Sequence, residues 1–361
     1  MDFSFDEDQE ALADGARRFL MTELTPELIR ELWESTTGRS ERHWAQLAEQ
    51  GMTGVSVPEA QGGLGMGARE WALLAQTWGY FGGPDPLMDT GLVAVALLQR
   101  LPASDWRDTL LAQIAAGGAR VALAHPVNPY VADAHVAHVL LCERDGELHR
   151  VMPAACTHRA VESVDPSRRL FALDWTPNAS TRIADAQSAA PLLDLALDHG
   201  AFAVAAQLLG LTQRVLDAAI DYTSQRKQFG KPIGAYQAVK HLLADVAIRY
   251  EFARPVVYRA ACALATGEID EIDDPQRALY VSHAKLAALS AAQLAARHAI
   301  QVHGAMGYTW ELDLQIFVKR IWALAGNWGD ATFHRERVAR TLIDARAPIG
   351  PACTFGNSER E

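Results

Sequence analysis

The stretch that decides the fold is QRKQFGKPIGAYQAVKHLLADV, which spans residues 225–246. It begins with adjacent cations and an aromatic residue and then turns through Gly-Lys-Pro-Ile-Gly. Because glycine ends helices and proline cannot continue them, we expect the preceding helix to end near Phe229. Arg226, Lys227 and Gln228 would then lie in its last turn, where cations complement the helix dipole. That structural role is the simplest interpretation of the basic cluster.

Outward from this stretch, the chain divides into three regions of different pattern. Helical spacing of apolar residues runs from Phe5 to about Ala116, and short β-rich runs between turn residues fill about Arg120 to Pro177. Long helices return from about Ser188 to Asp344. One of these carries an apolar stripe from Val204 to Ala219, and a second, alanine-rich helix stops at Gly304.

These patterns predict an α+β protein that is mostly α. We expect an N-terminal helical domain over 1–118 and a small middle β-sheet domain over 119–187. A C-terminal helical bundle should cover 188–347, followed by a flexible tail over 348–361, where Gly, Pro, Asn, Ser and Glu dominate.

Composition narrows the class of protein. The chain has 361 residues, of which 49% are hydrophobic, so it can bury a large core. Its net charge of -11 argues against a nucleic-acid or anionic-membrane surface. No apolar run reaches the roughly 18 residues of a membrane span; the best run, Ala201 to Leu211, is broken by Gln207. The acidic N-terminus has no apolar secretory region.

The cysteines and histidines predict neither disulfides nor a metal site. Four scattered cysteines, with no CxxC pair, suit a reducing cytoplasm, where we expect this protein: Cys142, Cys156, Cys262 and Cys353. His135 and His138 fall in a strand-like run, where side chains three apart point to opposite faces. The glycine run over 62–67 lacks GxGxxG spacing and no βαβ unit follows it, so we expect a turn.

Three segments resemble the acyl-CoA dehydrogenase family. The opening stretch is similar to the family signature R-x-x-F-G-x-x-I-x-x-x-Q-x-x-x-x-x-L-A-[DE]. QVHGAMGYTWE, at 301–311, is similar to Q-x-x-G-G-x-G-[FY]-x-x-E, and LAEQGMTGVSVPEAQGGLGMG, at 47–67, resembles the family's N-terminal helix and turn. The segments lie in the family's order, and the family's fold ends in a four-helix bundle.

The resemblance implies a flavin site shared between two chains. In the family, FAD accepts a hydride from the substrate β-carbon while a carboxylate removes the α-proton. The adenosine and pyrophosphate are held by a neighbouring subunit, and by resemblance Arg226 binds that pyrophosphate, since a guanidinium can hold phosphate oxygens bidentately. The carried-over coenzyme residues are Arg226, Gln228, Phe229, Tyr236, Gln237, Gln301, Val302, Gly304 and Ala305.

Both positions at which the family keeps its catalytic base hold glycine here. The usual glutamate lies about nine residues past the arginine that Arg320 matches, which places Gly329 there. A minority of the family uses a Glu-Arg pair earlier, where this chain has Gly200 and Ala201. We therefore expect no catalytic residue in this chain. Asp330 remains an alternative base, with His334 more remote.

The flavin-ring segment also departs from the family. VALAHPVNPYVADAHVAHVLLCE, at 121–143, contains neither a T-E-P-x-x-G-S-D-like loop nor a W-I-T-like strand, and the sheet looks shortened. The resemblance thus implies a non-catalytic subunit of an α2β2 acyl-CoA dehydrogenase, similar to those of steroid-degrading bacteria. Such a complex desaturates an acyl-CoA and passes electrons to an electron-transfer flavoprotein. The alternatives are a homomeric flavoenzyme that uses Asp330 and a flavin-free assembly or regulatory protein.

Overall fold

Helices build the N-terminal region of the computed structural model, which describes residues 4–265 and 275–344. A capping box starts the first helix: the Asp6 carboxylate accepts from the Gln9 N–H while the Gln9 side chain accepts from the Asp6 N–H. A π-helical segment, Asp89–Ala94, precedes the fifth helix. The helices are α1 Glu7–Glu23, α2 Pro26–Glu34, α3 Glu41–Glu49, α4 Ala68–Phe81, α5 Val95–Arg100 and α6 Asp105–Ala115.

The middle region forms two stacked sheets, whereas we predicted one small sheet. The strands are β1 Val121–Ala124, β2 Val131–Ala132, β3 Val139–Arg144, β4 Glu147–Val151, β5 Thr157–Val161, β6 Leu170–Asp174 and β7 Arg182–Ala184. A four-stranded sheet has the order β1-β3-β4-β7, with β1 and β3 parallel, and a three-stranded antiparallel sheet has the order β2-β6-β5. The short β2 pairs with β6 and not with its sequence neighbours, which the pattern of apolar residues alone does not reveal.

Alternating side chains explain the layering. In β3, Leu141 packs into the main hydrophobic core while its neighbours Leu140 and Cys142 belong to a second cluster. Val131 and Phe171 of the smaller sheet complete that second cluster. Because successive side chains of a strand point to opposite faces, the four-stranded sheet lies between the helices and the three-stranded sheet.

Long helices form the C-terminal region. Its elements are α7 Ala186–Gln225, β8 Lys227–Gln228, β9 Lys231–Pro232, α8 Gln237–Ala265, α9 Pro275–His303, α10 Leu314–Ala325 and α11 Ala331–Ala339. Among the described residues, α7 alone is long and apolar enough to cross a membrane, but 83% of its most apolar window is buried inside the protein. It is the central core helix.

Two glycines let α4 and α7 approach each other at backbone distance. A Cβ on Gly79 would lie 2.1 Å from the carbonyl oxygen of Gln207, and one on Gly210 would lie 1.8 Å from that of Gln76. Neither position can hold a side chain without moving a helix backbone. This close contact fixes the position of α7. That helix carries Gly200 and ends beside Arg226.

The predicted order of helices, strands and helices is confirmed, and the fold is mostly helical α+β. The domain boundaries at 118, 187 and 347 stay predictions, and the tail over 348–361 and Cys353 lie outside the described residues. The glycine run over 62–67 is a turn, as predicted, with Gly62 and Gly65 at positive φ. The expectation that His135 and His138 lie in a strand was wrong, because both precede β3, which begins at Val139.

Candidate functional site

The basic corner after α7 is a β-hairpin and not a helical turn. The helix ends at Gln225, so the predicted end near Phe229 was wrong. Arg226 is the C-cap, and its carbonyl accepts from the Ile233 N–H at 2.8 Å, which closes the hairpin. Phe229 and Gly230, at φ 53° and 81°, form the two-residue turn between β8 and β9. Positive φ at both central residues is typical of a type I′ turn.

An aromatic stack joins this hairpin to the end of α9. The rings of Tyr222 and His303 stack with centroids 4.2 Å apart, and the Tyr222 hydroxyl donates to the His303 carbonyl at 3.4 Å. Tyr222 lies one turn before Arg226, and Gly304 directly follows His303. The two sequence motifs therefore meet at one corner of the C-terminal region.

Most of the predicted coenzyme residues lie exposed at this corner. The side chain of Arg226 has no hydrogen-bond or ion-pair partner among the described residues, and Phe229 is 90% exposed. Gly304 has φ 60° and nothing within 4 Å of where a Cβ would stand, so its backbone is open to a close approach. Gln228, Gln237, Gln301 and Ala305 are exposed as well.

Two predicted residues have a different environment. Tyr236 is half-buried: its hydroxyl donates to the Gln228 carbonyl at 3.2 Å, and the Lys231 ammonium lies 4.2 Å from its ring centroid. Tyr236 thus stabilises the hairpin. Val302 is 9% exposed and belongs to the main core, so its side chain cannot be a major contact for a ligand.

The two glycines at the expected base positions are joined by Trp328, which the sequence reading missed. A Cβ on Gly200 would lie 2.2 Å from Cδ2 of the indole, so the ring rests directly on the Gly200 backbone. Trp328 is 2% exposed and has a positive φ of 54°. Gly329 follows it at φ 90°, where a Cβ would lie 2.5 Å from Phe333. Neither glycine can be replaced by a glutamate without displacing these aromatic side chains.

Hydrogen bonds from three parts of the chain hold Trp328 and the residues just before it in place. Its N–H donates to Asn128 Oδ1 at 2.8 Å, and its indole N–H donates to the Asp89 carboxylate at 3.3 Å. The buried Lys285 ammonium donates to the carbonyls of Asn327, at 2.5 Å, and Leu324, at 3.3 Å. Burial lowers the pKa of Lys285 to about 7.

The two alternative base candidates have structural roles. The Asp330 carboxylate accepts from the Phe333 N–H at 2.8 Å, which makes Asp330 the N-cap of α11. His334 is fully buried; its Nε2–H donates to the Trp328 carbonyl at 2.8 Å, and its Nδ1 accepts from the Ser282 hydroxyl at 3.1 Å. Burial lowers the pKa of His334 to about 4, which keeps the ring neutral.

Charged side chains surround the small cavity beside Gly200. Its volume is about 50 Å³, room for about two waters, and its lining includes Asp89, Arg168 and Gln207. Burial raises the pKa of Asp89 to about 6. Two ion pairs also line or border it: Arg39–Asp133 at 2.6 Å and Arg320–Asp165 at 2.5 Å.

The two histidines of the HxxH pair bind separate backbone groups. His135 Nε2 donates to the Thr37 carbonyl at 2.7 Å, whereas His138 Nδ1 accepts from the Arg120 N–H at 3.1 Å. Across the described ranges, 4–265 and 275–344, no cluster of three or more metal-ligating side chains occurs. Each histidine therefore has a structural partner of its own.

Both the N-terminal and the C-terminal parts of the chain match domains of one known protein family. The N-terminal domain of acyl-CoA dehydrogenases matches residues 6–118, and their C-terminal domain matches residues 192–343. The acyl-CoA dehydrogenase IpdE2 of Mycobacterium tuberculosis is 31% identical over 316 residues, which are 87% of this chain and 91% of that protein. The chain belongs to the acyl-CoA dehydrogenase family.

Solved structures of the family share the fold. A chain of the ChsE4-ChsE5 complex from Mycobacterium tuberculosis superposes with a TM-score of 0.86 at 21% identity, over 97% of this chain and 100% of that one. A variant of the Tcur3481-Tcur3483 steroid ACAD gives a TM-score of 0.80 at 24% identity, over 95% and 99%. Both similarities concern architecture, since identity is low.

Members of this family bind FAD, and the two halves of the site in this chain differ in how well they fit it. The Arg226 corner offers an unpaired guanidinium, an exposed aromatic ring and the open backbone of Gly304, which suit a phosphate-bearing nucleotide. Beside Gly200, a side chain would overlap the Trp328 indole, so this second half offers no carboxylate at that position.

Proposed function

We propose that this chain is the non-catalytic subunit of a heteromeric acyl-CoA dehydrogenase and completes the FAD site of a catalytic partner. The observation that carries the proposal is the contact between Trp328 and Gly200. A side chain at position 200 would overlap the indole, and Gly329 has a backbone conformation that L-residues rarely adopt. A carboxylate at either expected base position would therefore require these aromatic side chains to move, which supports a chain without a base of its own.

The Arg226 corner supports the second part of the proposal. Bound FAD would supply the hydride acceptor for desaturation of the acyl-CoA, with electrons passing on to an electron-transfer flavoprotein. This chain would hold the pyrophosphate through the Arg226 guanidinium, while the amides of Gln228 and Gln237 add hydrogen bonds. Gly304, which has no side chain, would let the backbone N–H groups approach the nucleotide.

Relatives support the assembly and suggest the substrate class. The ChsE4-ChsE5 and Tcur3481-Tcur3483 structures are complexes of two different chains, and the second is a steroid ACAD. We propose by analogy an α2β2 heterotetramer in which the partner carries the base and the flavin-ring site. Its substrate would be an acyl-CoA with a bulky acyl group, such as a steroid side chain.

Flavin content separates this proposal from its alternatives. Purified alone, the chain should show no flavin absorbance and no oxidation of acyl-CoA. Co-expressed with an acyl-CoA dehydrogenase chain that keeps its glutamate and ring loop, it should yield a complex with about one FAD per heterodimer. A homomeric enzyme would instead carry flavin in the isolated chain, and a flavin-free regulator would add none to the complex.

A further inference from the structure

A groove on the outer side of the C-terminal helices combines arginines with an apolar floor. It lies between α8, α9 and the start of α11 and has a volume of about 220 Å³. Its lining consists of Arg249, Leu286, Leu289, Ser290, Gln293, Leu294, Arg297, Ala331 and Arg335. The Arg249 guanidinium donates to the Ser290 hydroxyl at 3.0 Å. Arg297 and Arg335 have no ion-pair partner within the part of the chain that the structure describes.

The described residues that line this groove include no acid, although the chain as a whole is acidic. The sequence carries 44 acidic residues, yet none lines the groove, and α9 contains no Asp or Glu in its 29 residues. The acids within two residues of a lining residue in sequence, Glu251, Asp330 and Glu336, form no ion pair with the groove arginines that the structure describes; Glu251 pairs with Arg254 instead. The groove is thus a local cationic surface.

Exposed apolar side chains lie within one helical turn of the groove residue Arg249 on α8. Ile248 is 55% exposed and Phe252, one turn further along, is 75% exposed. Single exposed apolar residues are common, but two on consecutive turns beside an arginine-rimmed groove are typical of a protein-binding surface. A small anion alone would leave both of them in water.

The groove is continuous with the candidate coenzyme site. Ser290, Gln293, Arg297 and Gln301 are all exposed on α9, at spacings of three and four residues that place them in one row. Gln301 belongs to the corner that meets the coenzyme in the proposed function. One helical turn, about 6 Å, separates it from Arg297. A chain that covers the coenzyme corner would therefore also reach the groove.

Charge decides which chain can cover this surface. When two identical chains pair around a twofold axis, both use the same surface patch. An axis through the groove would bring its arginines close to those of the second copy, which is unfavourable. A chain that presents Asp or Glu on its facing helices would find complementary charge and an apolar contact.

We propose that this groove selects an acidic helical face of the catalytic subunit and rejects a second copy of this chain. This inference rests on the proposed function, because it identifies the surface through which that heteromer forms. The three arginines give pairing specificity, whereas Ile248 and Phe252 supply apolar contact area.

The first test uses the co-expressed complex. The double variant Arg297→Glu, Arg335→Glu should weaken assembly by about tenfold or more at low salt, with a smaller loss at high salt. Phe252→Asp should weaken it at both salt concentrations. Arg18→Glu, an exposed cation on α1, is the matched control and should leave assembly unchanged. Sedimentation velocity measures the fraction of heteromer, and an unchanged fraction in the double variant would overturn the proposal.

The second test uses this chain without a partner, so it still applies if no heteromer is found. The wild-type chain should be monomeric at low salt, and the variant with Arg249, Arg297 and Arg335 all changed to Gln should self-associate. A wild-type dimer that Phe252→Asp dissolves, or a triple variant that stays monomeric, would contradict the role assigned to charge. Binding of inorganic pyrophosphate that Arg297→Glu abolishes, with assembly unchanged, would instead identify a small-anion site and also overturn the proposal.

Failure of this inference is distinguishable from failure of the proposed function. Arg226→Gln should lower the FAD content of the complex without lowering the fraction assembled. The groove variants should lower the fraction assembled while each remaining heterodimer keeps its FAD.

Discussion

The indole of Trp328 lies on the backbone of Gly200, so close that a Cβ on residue 200 would stand 2.2 Å from ring atom Cδ2. These two residues come from α7 and from the loop before α11, the two places where the family resemblance leads us to expect a base. The ring thus occupies the space beside Gly200, and Gly329 directly follows the residue that carries it. The N–H and indole N–H of Trp328 bind Asn128 and Asp89, which fixes the ring in that space.

Gly200→Ala tests this contact. The added methyl group should force the indole to move and lower the free energy of unfolding by about 1–3 kcal/mol. Gly326→Ala is the matched control, because nothing lies within 4 Å of a Cβ at that position. Urea unfolding of both variants measures the difference. Equal stabilities for the two variants would mean that Trp328 does not rest on Gly200.

Gly329→Glu should not restore a base. Its φ of 90° is unfavourable for any L-residue, and its Cβ would stand 2.5 Å from Phe333 and 2.9 Å from His334 Nε2. We expect a less stable chain with no oxidation of acyl-CoA, measured by a dye-reduction assay with added FAD. A Gly329→Glu chain that retained flavin and turned over an acyl-CoA would show that only the carboxylate is missing.

Gly210→Ala tests the close approach of α4 and α7. The new Cβ would lie 1.8 Å from the Gln76 carbonyl oxygen, so the helices must separate, at a cost of about 1–3 kcal/mol or more. Gly15, in the middle of α1, has nothing within 4 Å of a Cβ. Gly15→Ala should therefore stabilise the protein by about 0.5–1 kcal/mol. Opposite shifts in the urea midpoint are expected, and shifts of the same sign would contradict the packing.

Lys285 makes stability depend on pH above neutrality. Burial lowers its pKa from the usual 10.5 to about 7, so between these values the unfolded chain holds a proton that the folded chain lacks. The free energy of unfolding should therefore rise as the pH rises from about 7 towards 10.5. Below pH 7 both states are protonated, and the full cost of the buried charge remains.

Lys285→Met should remove this slope, whatever it does to stability at a single pH. Lys240→Met, at an exposed position on α8, serves as the control and should keep the slope. Urea unfolding at pH 7, 8 and 9 measures both variants. If the free energy of unfolding of Lys285→Met rises with pH as steeply as that of the wild type, other groups cause the pH dependence.

The sequence was informative where a motif has a local physical cause. Gly304 ends an alanine-rich helix, and the structure places it directly after α9, as the pattern predicts. The order of helices, strands and helices also follows from periodicity and turn residues. The glycine at 329 and the glycine at 200 were found by counting from motifs, and the structure packs aromatic side chains against both.

The sequence was uninformative where tertiary contacts decide. The hairpin at Arg226 depends on a hydrogen bond from Ile233, seven residues away, and on a phenylalanine at positive φ, which composition does not signal. Trp328 stands between Asn and Gly in the sequence, and nothing local says that its ring meets α7. Likewise, Asp89 becomes part of the site only because the fold brings the π-helical segment to Trp328.

The central claim is that a guanidinium of this chain holds the coenzyme of another chain. The most direct measurement is the FAD content of the co-purified heteromer with Arg226→Gln, compared with Lys227→Gln, whose exposed cation is the next residue. Arg226→Gln should lose most of the FAD while the two chains stay associated, since a charged hydrogen bond is worth about 1.5–3 kcal/mol. Lys227→Gln should keep it. Full FAD occupancy in Arg226→Gln, or stoichiometric flavin in this chain purified alone, would contradict the account.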